Sequence, residues 1–117
     1  MQSDEDRLRA ALTRPARPSS EFDLNPAIAL PPGRTLRPAA VLVPVWLRPD
    51  GARLILTKRA SHLKHHPGQI AFPGGRIDPE DGALAARLDP AADIEVLAAR
   101  IGGIRETLEE TGLAIGL

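Results

Sequence analysis

The sequence predicts a single domain of mixed α/β class. The chain has 117 residues, which is enough for one modest core. Its 43% hydrophobic content supports one core but not two. β-rich segments between residues 39 and 72 precede an amphipathic helix near the end of the chain. We divide the chain into a helix with a proline-rich arm, residues 1–36, and a domain at residues 37–117.

Charge and composition exclude several classes of protein. Fifteen basic and fifteen acidic residues cancel, so no net charge attracts nucleic acid or an anionic membrane. The apolar run Ala39–Leu47 is too short for a membrane helix and contains Pro44. Without cysteine the chain has no disulfide and no thiolate metal site, and its acidic, polar start does not resemble a secretory signal. We expect a cytoplasmic protein with neither nucleic-acid nor membrane partners.

The neutral total hides an uneven distribution of charge along the chain. Residues 1–73 contain eleven basic and six acidic side chains, whereas residues 74–117 contain four basic and nine acidic ones. An acidic segment in a neutral protein is compatible with a divalent-cation site, although most charge runs are ordinary solvated surfaces. Composition alone leaves both interpretations open.

The first predicted element is a short helix from Asp4 to Thr13. Ser3 is a capping residue, acids fill the first turn, and apolar residues follow at helical spacing. Pro15 ends this helix. Six prolines between residues 15 and 38 predict an extended or turn-rich arm, to which we assign no function.

A β-hairpin is predicted next. Ala39–Leu47 is rich in β-formers, and Arg53–Lys58 supplies a second strand. Between them, Arg48–Gly51 combines Pro with Asp-Gly, which favours a turn. Because Pro44 cannot donate to a β-ladder, the first strand should lie at an edge or be bulged there.

A third short strand, Gln69–Phe72, is followed by two glycines. Gly74 and Gly75 lack a Cβ, so the backbone there can turn sharply and approach a ligand closely.

The last predicted helix runs from Asp93 as the cap to Thr111, with Gly112 as the stop signal. Its apolar residues recur at spacings of three and four: Ile94, Leu97, Ile101, Ile104 and Leu108. Gly102 and Gly103 weaken the middle by about 1 kcal/mol each relative to Ala. The segment is therefore either one helix or two, the second beginning near Gly103.

Three carboxylates share one face of this helix. Glu106, Glu109 and Glu110 stand at i, i+3 and i+4, where like charges repel one another. A bound cation would remove the repulsion, although an exposed acidic stripe is the simpler interpretation. Oxygen ligands without Cys or His favour Mg²⁺ or Mn²⁺ over Zn²⁺.

The segment Arg105–Leu113, with the upstream glycines and acids, resembles the Nudix box. Its second half matches at Arg105, Glu106, Glu109, Glu110, Gly112 and Leu113, while Thr107 stands where an apolar residue is usual. The box also has an acid after a glycine and five further residues. Counting from Gly74 gives Glu80 and counting from Gly75 gives Asp81, so this acid is ambiguous.

The preceding stretch is similar to one subfamily, the coenzyme A pyrophosphatases. Leu54–Arg59, Leu63–Gln69 and Phe72–Gly75 resemble its signature in the same order, with Lys64 replacing the usual Arg and His66 at the patterned position.

The resemblance implies an α/β/α sandwich with a mixed sheet that is incomplete at the C-terminus. The chain is then expected to be either a fragment of a longer protein or a truncated product. Residues 82–104, 23 in number, exceed the spacing of the box and form an insertion. This insertion either lengthens the helix backward or loops out.

The resemblance also implies divalent-metal-dependent hydrolysis of the pyrophosphate bond of coenzyme A or its thioesters. The products are phosphopantetheine and adenosine 3′,5′-bisphosphate. The implied catalytic residues are Arg105, Glu106 and Glu109, and the implied ligands of Mg²⁺ or Mn²⁺ are Glu106, Glu109, Glu110 and a carbonyl near Gly74. Candidate substrate contacts are Arg59, Lys64, Gln69 and Gly75, and Glu80 or Asp81 would support Arg105.

Two alternatives stay open at this stage. A Nudix hydrolase of another nucleoside diphosphate derivative would share the same box. An inactive truncated fragment would keep the glutamates without turnover. The sequence does not give the oligomeric state.

Overall fold

The computed structural model describes residues 1–15, 33, 35–58 and 68–116. Most of the predicted proline-rich arm and residues 59–67 lie outside them, and the division at residue 37 stays a prediction. The elements in chain order are α1 (Asp4–Leu12), β1 (Ala39–Val41), β2 (Val45–Arg48), β3 (Gly51–Leu54), β4 (Thr57–Lys58), β5 (Ile70–Ala71), β6 (Gly74–Arg76), α2 (Pro79–Leu88) and α3 (Ile94–Thr111). The predicted α/β class is confirmed.

The helix termini follow local capping signals. Ser3 and Asp6 form a capping box at the start of α1, which ends at Leu12. At the start of α3 the Asp93 side chain accepts a hydrogen bond from the Val96 amide at 3.3 Å. At its end Gly112 adopts a left-handed conformation, with φ of 78°. The predicted ends of α3 are confirmed.

The helix α3 is continuous through Gly102 and Gly103, so the two-helix alternative is wrong. Both glycines are buried where α3 packs against α2, β1 and β6. A Cβ on Gly103 would lie 3.8 Å from the Leu42 Cβ, so the neighbouring strand segment approaches the helix backbone closely. Packing thus offsets the weak helix propensity of the pair. Within residues 82–104, the helix is lengthened backward only as far as Ile94, while residues 82–88 belong to α2 and residues 89–93 connect the two helices.

The strands form three antiparallel pairs within the described residues, namely β1 with β6, β2 with β3 and β4 with β5. The implied mixed sheet is not present among them. The predicted strand Ala39–Leu47 is divided at residues 42–44, where Pro44 is buried. The predicted strand Arg53–Lys58 is likewise divided at residues 55–56.

The predicted hairpin turn is confirmed. Arg48 lies opposite Gly51 in the β2–β3 register, so Pro49 and Asp50 form a two-residue connection. Gly51 has a φ of 127°, which a residue with a side chain rarely adopts. The Asp50 carboxylate accepts from Arg48 at 3.3 Å and from Arg53 at 3.0 Å.

The core around α2, α3 and the β1–β6 pair consists of small side chains. Ala40, Ala85 and Ala98 are buried there, together with Thr107. Small residues allow the two helices and the strand pair to approach one another closely. Within the described parts of the chain, no helix is both long enough and apolar enough to span a membrane.

Candidate active site

The guanidinium of Arg105 joins α3 to the start of α2. Its Nε donates to Asp81 Oδ1 and its Nη2 to Asp81 Oδ2, both at 3.0 Å. The same Nη2 donates to the Arg76 carbonyl at 3.0 Å and lies 3.2 Å from the Asp78 carboxylate. A planar fork that engages both oxygens of one carboxylate fixes the plane of the Arg105 side chain.

The remaining nitrogen of Arg105 faces the glutamates of its own helix. Nη1 donates to Glu106 Oε1 at 3.1 Å and to the Glu109 oxygens at 3.2 and 3.3 Å. Arg105 and Glu109 stand at i and i+4, a spacing that brings side chains together on a helix. One guanidinium therefore orients two of the predicted metal ligands.

Asp81 is the acid that pairs with Arg105. It lies in the first turn of α2 and is 3% exposed, and its Oδ2 also accepts from the Asp78 amide at 2.8 Å. Hydrogen bonds from Arg105 lower the pKa of Asp81, outweighing the opposite effect of burial. The Asp81 carboxylate in turn raises the pKa of Arg105. Glu80, the other candidate, is exposed.

The two glycines lie inside β6 rather than in a turn after a strand. Gly74 pairs with Val41 and Gly75 with Ala40. A Cβ on Gly74 would collide with the Ala40 carbonyl oxygen. A Cβ on Gly75 would lie 2.6 Å from the Glu106 Cδ. Because Gly74 has no side chain, the neighbouring strand β1 can approach it closely. Because Gly75 has none, the Glu106 carboxylate can lie against it.

Thr107 fits the buried position where the Nudix pattern has an apolar residue. Its side chain is fully buried, and its Oγ1 donates to the Gly103 carbonyl at 2.7 Å. The hydroxyl is therefore satisfied within the helix and costs little on burial.

The structure describes only some of the other predicted site residues. Glu110 is exposed near the end of α3, and Gln69 is exposed just before β5. Arg59, Lys64 and His66 lie outside the described residues. Two further partners of Arg105, Asp78 and the Arg76 carbonyl, were not predicted from the sequence. The Asp78-Pro79 start of α2 was the available signal for Asp78.

The oxygen atoms around Arg105 are of the chemical type that binds a hard divalent cation. Asp78, Asp81, Glu106 and Glu109 place four carboxylates around one guanidinium, so negative charge is in excess. Carboxylate and carbonyl oxygens are the ligands that Mg²⁺ and Mn²⁺ prefer. Among the described residues, however, no three acidic or histidine side chains are grouped as a ready-made metal site. Arg105 occupies the position between Glu106 and Glu109.

The fold and site define a mixed α/β protein whose glutamate-bearing helix packs beside a glycine-containing strand. No family model matches the chain. The protein named "Uncharacterized Nudix hydrolase NudL" from Yersinia pestis (strain Pestoides F) is 50% identical over 62 residues, which is 53% of this chain and 31% of the relative. Its namesake from Yersinia pseudotuberculosis serotype O:1b (strain IP 31758) matches with the same figures.

A solved structure gives the same result at the level of fold. The crystal structure of a Nudix hydrolase from Alicyclobacillus acidocaldarius superposes with a TM-score of 0.62 at 32% identity. The match covers 71% of this chain and 40% of that one. The chain thus spans about a third of the length of the curated relatives that it matches. Together these similarities support the Nudix hydrolase family.

Proposed function

We propose that this chain carries part of the active site of a Nudix pyrophosphohydrolase that acts on coenzyme A or its thioesters. The observation that carries the proposal is the Arg105 network, which joins Asp81 to Glu106 and Glu109 beside β6. Four carboxylates around one arginine leave negative charge uncompensated, an arrangement that is typical of functional sites. By the similarity to Nudix hydrolases, the proposed role of these carboxylates is to hold a divalent metal ion.

The residues that would hold Mg²⁺ or Mn²⁺ are Glu106, Glu109, Glu110 and a carbonyl near Gly74. When bound, the ion polarises a phosphoryl oxygen and lowers the pKa of a coordinated water. The excess of carboxylates over guanidinium provides the negative charge that attracts such an ion.

The chain's own residues orient these ligands. Asp81 fixes the plane of Arg105 through two hydrogen bonds, and Arg105 in turn restricts the rotamers of Glu106 and Glu109. A preorganised carboxylate loses less conformational freedom when it binds a charged partner. Arg105, which the resemblance implies as catalytic, acts in the proposal by positioning Glu106 and Glu109, with Asp81 as its support.

Coenzyme A is proposed as the substrate from the sequence around β5. The Leu63–Gln69 and Phe72–Gly75 segments carry the resemblance to coenzyme A pyrophosphatases. Arg59, Lys64, Gln69 and Gly75 are the proposed contacts to phosphate or pantetheine. The proposed products are phosphopantetheine and adenosine 3′,5′-bisphosphate, released in the cytoplasm.

The test is mass spectrometry of coenzyme A incubated with the purified protein and Mg²⁺ or Mn²⁺, with EDTA as the control. Phosphopantetheine that forms only with the metal supports the proposal. A panel with nucleotide sugars and dinucleotide polyphosphates tests the substrate assignment. Turnover of another nucleoside diphosphate derivative, with none of coenzyme A, overturns the substrate but keeps the reaction. No metal-dependent turnover of any diphosphate favours the inactive fragment.

A further inference from the structure

Gly75 lies directly against the carboxylate of Glu106. An added Cβ on Gly75 would stand 2.6 Å from Glu106 Cδ, 2.7 Å from Oε1 and 2.9 Å from Oε2. Side-chain carbons do not approach other atoms this closely, so the space above Gly75 is filled by the carboxylate. Gly82, in contrast, has nothing within 4 Å of an added Cβ.

Glu106 is therefore confined from two directions. The Arg105 Nη1 holds its Oε1 at 3.1 Å, and the backbone of β6 lies against its carboxylate at Gly75. The strand is itself fixed, since Gly75 pairs with Ala40 in the β1–β6 ladder. The exposed fraction of the Glu106 side chain is 18%, which agrees with a carboxylate seated between a strand and a guanidinium.

We propose that Gly75 is a positioning residue for Glu106, because the missing side chain leaves the space in which that carboxylate is seated. This inference rests on the proposed function for its link to metal binding. It concerns the place of the missing side chain, which the Glu106 carboxylate fills, and is separate from a substrate contact made by the Gly75 backbone. Any side chain at residue 75 forces Glu106 out of its position, at little cost to the fold, because a carboxylate ends a flexible side chain.

The experiment is a double-mutant cycle on Mn²⁺ affinity, measured by electron paramagnetic resonance of the free ion. Gly75→Ala is expected to weaken Mn²⁺ binding by about 10 to 100-fold, the usual effect of disturbing a residue that orients a metal ligand. In the Glu106→Ala background the same substitution is expected to change the affinity less than about twofold, since no carboxylate is left to displace. Gly82→Ala is the control and should leave the affinity unchanged.

An equal loss in both backgrounds overturns the proposal, because Gly75 would then act independently of Glu106. A crystal structure of Gly75→Ala separates this result from a failure of the proposed function. If the native protein binds no Mn²⁺, the proposed metal site is wrong. Displacement of the Glu106 carboxylate in the Gly75→Ala crystal would still support the positioning role of Gly75. A Glu106 carboxylate that stays in place beside the added methyl refutes it.

Discussion

At the scale of single residues, Asp81 performs two tasks with one carboxylate. It accepts a hydrogen bond from the Asp78 amide at the start of α2 and two more from Nε and Nη2 of Arg105 on α3. Glu80 is one residue away and exposed, so a shift of one position along α2 would remove the pair. Both acids lie in the first turn of α2, but it is the Asp81 side chain that pairs with Arg105.

We expect Asp81→Asn to destabilise the protein by about 2 kcal/mol, because it weakens charged hydrogen bonds in a buried position. The matched control, Glu80→Gln, changes an exposed neighbour and should stay within about 0.5 kcal/mol. Urea unfolding of the two variants at pH 7 measures the difference. Equal effects of the two substitutions would contradict the assigned pairing.

The same carboxylate predicts an acid-dependent loss of stability. The pKa of Asp81 is lowered in the folded state from its ordinary value of 3.8, so the unfolded state binds the proton more readily. Its contribution is therefore complete only above about pH 5 and is lost as the pH falls through the lower, folded pKa. The gap in unfolding free energy between the native protein and Asp81→Asn should narrow as the pH falls from about 5 toward 2, an approximate window. A gap independent of pH would exclude this linkage.

Glu109→Gln is expected to abolish metal-dependent hydrolysis while leaving the fold intact. The substitution removes one ligand charge at nearly constant shape. Glu95→Gln, in the first turn of the same helix, is the control because it is exposed and remote from Arg105. Turnover and circular dichroism of the two variants give the comparison. Undiminished turnover in Glu109→Gln would remove this residue from the metal face.

At the scale of elements, α3 packs through its glycine pair and presents its acids from the following turn. Gly102 and Gly103 are adjacent and buried, yet they face different neighbours. A Cβ on Gly102 would lie 3.1 Å from Asp81 Oδ2, whereas a Cβ on Gly103 would make ordinary contacts near 3.8 Å with Leu42. Gly102 thus allows α2 and its acid to approach α3.

Gly102 and Gly103 are expected to respond differently to replacement by Ala. Gly103→Ala should stabilise the protein by up to about 1 kcal/mol, the gain in helix propensity. Gly102→Ala should gain less or destabilise, because its methyl meets the Asp81 oxygen that Arg105 and the Asp78 amide hold in place. Urea unfolding midpoints of the two single variants decide the matter. Identical midpoints would mean that α2 can shift away freely.

The sequence predicts α1 and α3 better than the strands, whereas α2 at Pro79–Leu88 was not predicted, and the reason is physical. The ends of α3 are encoded locally by Asp93 and Gly112, whose capping needs no distant partner. The division of Ala39–Leu47 and the strand at Gly74–Gly75 depend on pairing between segments far apart in sequence. Arg105 and its glutamates follow from helical spacing, but Asp81 and Gly75 acquire their partners only through tertiary packing.

At the scale of the whole molecule, the small-residue core and the candidate site coincide. Ala40, Ala98 and Thr107 are buried where α2, α3 and the β1–β6 pair meet, which is the region that holds Arg105. Larger apolar residues elsewhere in the described structure, such as Trp46 and Leu54 in the β2–β3 pair, are exposed. Rigid, closely packed elements therefore support the charged network, which favours precise placement of its carboxylates.

A metal held by this network should stabilise the whole fold. An ion that binds only the folded state adds about 2.7 kcal/mol when its concentration is a hundred times the Kd. We expect the thermal unfolding midpoint to rise with Mn²⁺, to return with EDTA, and to respond less in Glu109→Gln. A midpoint that rises equally in both proteins would place the bound ion elsewhere.

Because α3 is continuous, the connection between α2 and α3 lies far from the glutamates of the candidate site. Glu106 stands twelve positions after Ile94, and at 1.5 Å of rise per residue the two lie about 18 Å apart. The chain between α2 and α3 is largely exposed around Asp89–Ala91. A fluorophore or a short peptide tag grafted there would report on the protein from a distance, without perturbing the carboxylates that it is meant to observe.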